Sequence, residues 1–227
     1  FEELCRGFNQ YFGNNGEKLP VIYVMLAPYN YALWGSGITL GLPLFWEAQH
    51  QIALNNSDTM RELPIYDLPL DYIPTEAPDK DMIGAVFDSI HPIHKAEVGE
   101  RMAEAAMELI YSTGSPYIPP YPVSYKIEAN RIVIEFSSVN KLKSLDGKEL
   151  RGFSICGKDR KFVSAKAEII GDRKVAVYSE KIPSPVAVTY AFYDLNHGSN
   201  LCDGKGIMAV PFRSDRVKSQ YNLTEIK

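Results

Sequence analysis

Asp88 and His91 lie three residues apart, and their types and spacing are suited to acid–base chemistry. On a turn, a carboxylate at this distance can accept a hydrogen bond from the histidine Nδ1 and fix its tautomer, which leaves Nε2 free as a general base. The alternative is that Asp88 or Ser89 caps the following helix and that His91 lies on the surface. Because Asp-x-x-His is an unspecific pattern, the spacing alone favours the helix cap.

His94 follows His91 by three residues, so the two histidines could also be metal ligands on one helix face. No glutamate of a His-Glu-x-x-His motif accompanies them, and no cysteine is nearby. We therefore expect His94 to be a solvated histidine in the first turn of the helix rather than a ligand.

A histidine base in a hydrolase needs a nucleophile, and the sequence contains no Gly-x-Ser-x-Gly elbow. Ser36, between two glycines, has no strand directly before it, and we interpret it as part of a loop. The segment HGSN at 197–200 brings a histidine and a serine together, but its surroundings also predict a loop.

Other polar and aromatic residues have simpler interpretations. Glu47 and Gln49 are expected on the polar face of a helix. Aromatic residues are more often found in the core, but a sugar could stack on any of Tyr11, Tyr23, Tyr29, Tyr31 and Trp34.

Residues 1–115 alternate between helical and strand-like patterns. Continuous apolar residues at 21–26 predict a strand buried on both faces, and 63–73 predicts a second strand broken at Pro69. Helices are predicted at 1–12, 42–54 and 91–111. This alternation is typical of an α/β sheet covered by helices.

The helix predicted at 91–111 has Pro92 at its first position, where proline is well accommodated. Gly114 and Pro116 end it. Its predicted apolar face comprises Val98, Met102, Ala105, Ala106, Leu109 and Ile110.

Residues 116–227 have a different pattern. The segment 115–124 is rich in proline and predicts a stiff linker. Beyond it, apolar residues alternate with a period of two, as at 131–136 and 186–194, and turn signals such as Asp146-Gly147 separate the runs. This half therefore predicts an antiparallel, sandwich-like β domain.

Composition excludes several classes of function. The net charge of -4 over 227 residues gives no electrostatic case for nucleic acid, and no apolar run approaches the roughly 18 residues of a membrane span. The three cysteines form no Cys-x-x-Cys pair, although one disulfide and a free thiol remain open. The chain begins without methionine and without a cap for its first helix, so we expect a segment to precede it.

Several segments together resemble the sialate O-acetylesterases of the SGNH hydrolase superfamily. YVMLAPYNY resembles a strand and loop of that family, and FWEAQHQIAL resembles its Trp-Glu-Ala-Gln helix. DSIHPIHKAEVGERMA resembles the block that carries the Ile-His-Pro and the Lys-x-x-Val-Gly-x-Arg helix. The β segments LRGFSICGKDRKFVSAKAEIIGDRKVAVYS, SPVAVTYAFYD and VPFRSD extend the ordered similarity from about residue 19 to residue 215.

The resemblance implies an α/β plus all-β protein. Residues 1–115 would be the C-terminal part of an SGNH-type α/β/α sheet domain, and residues 116–227 an antiparallel β-sandwich-like domain. It implies release of acetate from acetylated sialic acid or a related acetylated glycan, with His91 as the base and Asp88 as the acid of a serine hydrolase triad. No metal or organic cofactor is needed, and an extracellular or periplasmic location is expected.

The sequence departs from the family pattern in one major respect. The Gly-x-Ser-Asn-like nucleophile block and the oxyanion blocks that follow it are missing. We therefore expect a missing N-terminal segment of the same enzyme to supply the serine, and this chain alone to be inactive. The alternatives are a non-catalytic carbohydrate-binding or structural module derived from the esterase, and a xylan or other polysaccharide acetylesterase.

Overall fold

A computed structural model describes residues 1–13, 18–29, 40–68, 94–138, 140–194 and 198–215. Its helices are α1 (Glu2–Phe12), α2 (Gly41–Asn55) and α3 (Lys95–Leu109). Its strands in the first half are β1 (Val21–Val24) and β2 (Met60–Leu63). The strands of the second half are β3 (Tyr121–Glu128), β4 (Arg131–Ser137), β5 (Leu142–Ser144), β6 (Phe153–Cys156), β7 (Val163–Ser164), β8 (Lys166–Gly171), β9 (Lys174–Tyr178), β10 (Ala187–Tyr190), β11 (Leu201–Asp203) and β12 (Phe212–Arg213).

The first half contains a parallel pair of strands. β1 and β2 are in register from Val21 opposite Met60 to Val24 opposite Leu63, and α3 packs against both. The predicted strand at 21–26 is therefore present, but the expectation that it is buried on both faces is wrong. All four residues of β1 are partly exposed, because an open groove separates β1 from the apolar residues of α1.

The second predicted strand lies elsewhere in the structure. β2 ends at Leu63, the residue at which the sequence pattern predicts its start, and residues 66–68 form a turn. Pro64 has no amide hydrogen to donate to a ladder, and this accounts for the end of the strand. Residues 69–73, with the predicted break at Pro69, lie outside the described residues.

Helix α3 begins later than predicted. Its first residue is Lys95 and His94 is its N-cap, whereas Pro92 lies outside the described residues. Of the predicted apolar face only Ala105 is fully buried, in a small cluster with Leu63, Tyr117 and Ile207. The face is only partly covered, since Val98, Ala106 and Leu109 are half-buried whereas Met102 and Ile110 are exposed.

The second half consists of antiparallel sheets, as the two-residue period predicts. One has the order β3-β4-β9-β8, a second has the order β12-β10-β6-β7, and β11 pairs with β5. The linker prediction at 115–124 fails at its end, because β3 begins at Tyr121 and pairs with β4 across a bulge between Pro122 and Ser124. Such a bulge accommodates a proline, which cannot donate to the ladder.

The core joins the two four-stranded sheets. Ile132, Ile134 and Phe136 of β4 are at most 2% exposed, as their alternation predicts, and Phe136 meets Phe212 edge-on at 5.7 Å between ring centroids. The same core cluster includes side chains of the first half, namely Met25, Leu42, Trp46 and Tyr66.

No disulfide forms. The three cysteines of the chain, Cys5, Cys156 and Cys202, are free and buried. Among the helices that the structure describes, none is long and apolar enough to cross a bilayer.

Candidate active site

The predicted triad residues, Asp88 and His91, lie outside the described residues, so their roles stay predictions. The structure describes the residues on either side of the segment that contains them. The described residues after β2 run to Leu68, and they begin again at His94, the N-cap of α3. Because ligand and catalytic groups of open α/β sheets lie beyond the carboxyl ends of the strands, this is the edge where a site is expected.

A bidentate ion pair links the turn after β2, which leads into that segment, to α3. The Arg101 Nη1 and Nη2 atoms donate to the two carboxylate oxygens of Asp67, at 2.8 and 2.6 Å, and Nη1 also donates to the carbonyl oxygen of Pro64 at 2.7 Å. The Asp67 side chain is only 6% exposed. Burial opposes the charge of Arg101, but the hydrogen bonds and attraction from Asp67 raise its pKa overall.

Tyr66 ties the same turn to the β half of the molecule. Its hydroxyl donates to the carbonyl oxygen of Ala209 at 2.7 Å and lies 3.1 Å from the hydroxyl of Tyr190. Tyr190 in turn accepts a hydrogen bond from the backbone amide of Leu201 at 2.8 Å. Burial raises the pKa of Tyr66 well above its usual value, so it is a structural hydrogen-bonding group rather than an acid–base catalyst.

The Trp-Glu-Ala-Gln segment of α2 holds the chain that follows β1. Trp46 Nε1 donates to the carbonyl oxygen of Leu26 at 2.8 Å, and the Leu26 amide donates to Gln49 Oε1 at 3.4 Å. The Tyr23 hydroxyl donates to the Gln49 carbonyl oxygen at 2.6 Å. Gln49 is therefore a positioning residue for the loop after β1, and not only a polar surface residue as predicted.

Glu47 likewise has a partner. Its Oε2 accepts a hydrogen bond from Arg213 Nε at 2.9 Å, which links α2 to β12. The Arg213 guanidinium also lies over the ring of Phe192, 5.6 Å from its centroid. The prediction of an ordinary polar helix face is therefore wrong for Glu47, because the β half packs against that face.

The junction at Arg213 borders a cavity of about 310 Å³. Its lining includes two cations, Arg160 and Arg213, and three aromatic rings, those of Phe162, Phe192 and Tyr193. Asp215, whose side chain is 9% exposed, lies 3.7 Å from the Arg160 guanidinium. Aromatic faces with polar side chains around them suit sugar rings, so this cavity is a candidate place for glycan contacts.

His94 is partly exposed, as predicted, and it pairs with a neighbour in its own helix. Its Nδ1 lies 2.8 Å from Glu97 Oε1, and this hydrogen bond lowers the pKa of Glu97. In the part of the chain that the structure describes, no three His, Cys, Asp or Glu side chains are grouped so that they could hold a metal ion.

The HGSN segment is a loop, as predicted, and its described residues have structural roles. Ser199 is 3% exposed and its hydroxyl lies 2.5 Å from that of Tyr193. Asn200 accepts a hydrogen bond from the Arg151 amide at 2.8 Å and donates to Asp146 at 2.8 Å. His197 and the Ser36 loop lie outside the described residues.

Two of the cysteines are poor substitutes for a serine nucleophile. Burial raises the pKa of the Cys202 thiol to about 11 and also raises that of Cys156. Because the thiolate is the nucleophile, burial and a raised pKa both disfavour reaction of these two thiols.

The predicted sugar-stacking residues have different surroundings. Tyr29 is buried and belongs to the core, whereas Tyr11 is 80% exposed on α1. Tyr23 is partly buried, and its ring meets that of Phe1 edge-on. Tyr31 and Trp34 lie outside the described residues.

Sequence reasoning does not find the Asp67–Arg101 pair. The helical period places Arg101 only on the polar side of its helix, and the strand-like pattern places Asp67 in a strand. A signal is present, because Arg101 is the arginine of the Lys-x-x-Val-Gly-x-Arg pattern. A buried partner explains why an arginine fits that place in the pattern.

Comparison with known proteins adds an independent finding. Neither the protein-family models nor the curated proteins gave a match. Among solved structures, the chain is similar to a carbohydrate acetylesterase from Xanthomonas citri, with a TM-score of 0.75 and 26% sequence identity. The match covers 95% of this chain and 46% of that one, so this chain spans about half the length of its structural neighbour.

The similarity supports the coarser part of the resemblance described above. It agrees with a chain in which an α/β part is joined to a β-rich part. A specific relationship to sialate esterases and the SGNH assignment stay predictions.

Proposed function

We propose that this chain is the histidine-bearing portion of a carbohydrate O-acetylesterase, a serine hydrolase that releases acetate from acetylated sugars. The observation that carries the proposal is the similarity, over 95% of the chain, to a solved carbohydrate acetylesterase. The ordered sequence resemblance around Asp88 and His91 supports the same reaction class.

In the proposed mechanism, a serine hydroxyl attacks the acetyl carbonyl carbon while His91 Nε2 accepts its proton. The tetrahedral intermediate collapses to an acetyl-serine, and His91 returns the proton to the departing sugar oxygen. Water then hydrolyses the acetyl-serine with His91 again acting as base. Asp88 orients the imidazole through Nδ1 and stabilises its protonated form, and hydrogen-bond donors near the serine hold the oxyanion.

We propose that the serine comes from a missing N-terminal segment of the same enzyme, which packs on the groove between α1 and β1. The groove supports this, because Leu4 and Phe8 of α1 are 58% and 49% exposed beside the partly exposed β1. Strands of a parallel sheet are ordinarily covered on both faces. The neighbour is also about twice as long as this chain, which leaves room for such a segment.

For the substrate we propose an acetylated sialic acid, as the sequence resemblance favours, or a related acetylated glycan. A xylan or other polysaccharide acetylesterase is the alternative within the same chemistry. An extracellular or periplasmic location follows from the proposal, since such glycans are met there. A non-catalytic carbohydrate-binding or structural module is the second candidate, and the lack of a Gly-x-Ser-x-Gly elbow in this chain favours it.

The test is acetate release from 9-O-acetylated sialic acid and from acetylated xylan oligosaccharides. This chain should be assayed alone and within the longest reading frame that contains it. We expect activity only from the longer protein, and His91→Ala should lower its kcat by about four orders of magnitude or more. His94→Ala is the matched control and should leave kcat nearly unchanged.

Three outcomes would contradict parts of this proposal. Full activity of His91→Ala would remove His91 from the mechanism. Turnover by the isolated chain, lost in His91→Ala, would place the serine within this sequence. Absence of acetate release by the longer protein on both substrates would favour the non-catalytic module.

A further inference from the structure

A second cavity, of about 230 Å³, lies at the amino end of β2, whereas the segment that leads to His91 leaves from the carboxyl end. Its walls come from α2, from the start of β2 and from the stretch that leads into β3. Among the residues that line it, His50 and Glu62 are the polar groups that a ligand could bind, and Tyr121 provides an aromatic ring.

Glu62 is an unusual residue for such a place. It is 4% exposed, and only one of its two carboxylate oxygens, Oε1, is paired, with Nδ1 of His50. Among the described residues, no hydrogen-bond donor reaches the other oxygen, Oε2, although that atom is buried. Buried carboxylate oxygens are rarely left unpaired because water no longer solvates them, so this atom indicates a binding partner.

The neighbouring cation does not supply that partner. Arg61 also lines the cavity, but its Nε and Nη2 atoms donate to the carboxylate of Glu108 at 2.6 and 2.8 Å. Its Nη1 donates to the carbonyl oxygens of Ser57 and Met60, at 2.5 and 2.8 Å. The guanidinium is therefore directed away from Glu62 by four other hydrogen bonds.

His50 completes the polar side of the cavity. Because Nδ1 is bonded to Glu62, the remaining ring nitrogen, Nε2, is the atom that a ligand can use. The imidazole ring packs against the ring of Tyr121 with 5.0 Å between centroids. The side chains of Glu62, His50 and Tyr121 thus line one small cavity, and Ala53 and Leu54 add apolar surface.

We propose that this cavity binds a single neutral pyranose, with one hydroxyl group donating to Glu62 Oε2. The volume is below the roughly 300–1,000 Å³ of pockets for larger ligands, so one ring is the appropriate size. Two hydroxyl groups of one ring can serve both polar groups, one donating to the carboxylate oxygen and the other exchanging a hydrogen bond with His50 Nε2. The apolar C–H face of the ring would lie against Tyr121 and the aliphatic wall.

The proposal does not depend on the esterase activity, because it concerns binding of an unacetylated sugar without turnover. The test is NMR of the imidazole groups of the four histidines during titration with D-xylose, D-glucose and D-galactose. His50→Gln identifies the His50 signals. We expect saturable shifts of the His50 signals with a millimolar dissociation constant for at least one of these sugars.

Glu62→Gln removes the acceptor at Oε2 and keeps the shape of the side chain, so it should weaken binding by about tenfold or more. Glu100→Gln, an exposed change on α3, is the matched control and should leave binding unchanged. If Glu62→Gln does not fold, intermolecular NOEs from sugar C–H protons to the Tyr121 ring of the unaltered protein provide the second measurement.

Three results would overturn the proposal. They are an absence of saturable shifts with all three sugars, binding that survives Glu62→Gln unchanged, and sugar binding without NOEs to Tyr121. Saturable binding of n-butylamine, with none of the sugars bound, would show that the cavity takes an ammonium group instead of a polyol.

Discussion

At the scale of single residues, the structure shows side chains that hold loops in position, whereas the predicted catalytic residues Asp88 and His91 lie outside the described residues. Asp67, Arg101 and Tyr66 fasten the turn after β2, and Trp46 and Gln49 fasten the chain after β1. They hold two loops, and the loop after β2 leads into the segment that carries Asp88 and His91.

Removing the Arg101 guanidinium should destabilise the protein strongly. In Arg101→Ala the carboxylate of Asp67 stays buried without its partner, and we expect the free energy of unfolding to fall by about 3 kcal/mol. Chemical denaturation followed by circular dichroism measures this. Arg101→Lys should recover only part of the loss, because an ammonium group cannot form the bidentate pair.

Arg131→Ala is the control for that measurement, since its pair with Glu128 is exposed to solvent. Exposed pairs contribute little, so a much smaller change is expected. Equal losses for Arg101→Ala and Arg131→Ala would show that the Asp67 pair does not stabilise the turn.

The same residues show why local patterns reveal only part of the site. Asp88 and His91 are near each other in sequence, so a pair can be considered from the sequence, although the spacing alone favours a helix cap and only the family resemblance favours the pair. Asp67 and Arg101 are 34 residues apart and Glu47 and Arg213 are 166 apart, and only the fold brings them together. Periodicity reports which face of an element is apolar, and it carries no information about such distant partners.

At the scale of elements, the accuracy of sequence reasoning depends on periodicity. The alternation in β4 and β10 predicts buried Ile134 and Tyr190 correctly, although Val133 and Ala187 on the opposite faces are buried as well. The apolar run of β1 is short and does not define its own ends, and β2 has no apolar run because Arg61 and Glu62 are charged. The position of β2 is decided by Pro64 and by pairing with β1.

The entry to β6 depends on a glycine for two reasons. Gly152 has a φ of +94°, and a Cβ at this position would lie 2.2 Å from Ser199 Oγ and 2.7 Å from Ser199 Cβ. Gly152→Ala should therefore lower the free energy of unfolding by more than about 3 kcal/mol, from backbone strain together with displacement of the buried Ser199 loop.

Gly147→Ala provides the matched control in thermal or chemical denaturation. Gly147 has a similar φ of +70°, but no atom lies within 4 Å of a Cβ built on it. Gly147→Ala should lower the free energy of unfolding only by the cost of backbone strain, about 1 kcal/mol. If the two variants lose the same stability, contact with Ser199 has no part in the requirement for glycine at 152.

At the scale of the whole molecule, the two halves that differ in sequence pattern share a core. The change of period and the prolines predict a boundary near residue 115, and it stays a prediction about domains. The structure shows that Trp46 and Tyr66 from the first half belong to the same cluster as Phe153 and Tyr190 from the second. Sequence patterning could not reveal this, because it describes each half separately.

A shared core predicts that the two halves unfold together. We expect one calorimetric transition in which the measured and van't Hoff enthalpies agree. Tyr66→Phe should lower the stability of that single transition by about 1–3 kcal/mol, because the buried carbonyl oxygen of Ala209 and the hydroxyl of Tyr190 each lose a partner. Tyr178→Phe, which removes a solvent-exposed bond to Glu168, is the control and should change little. Two separate transitions, with Tyr66→Phe affecting only the first half, would show that the halves are energetically independent despite the contacts between them.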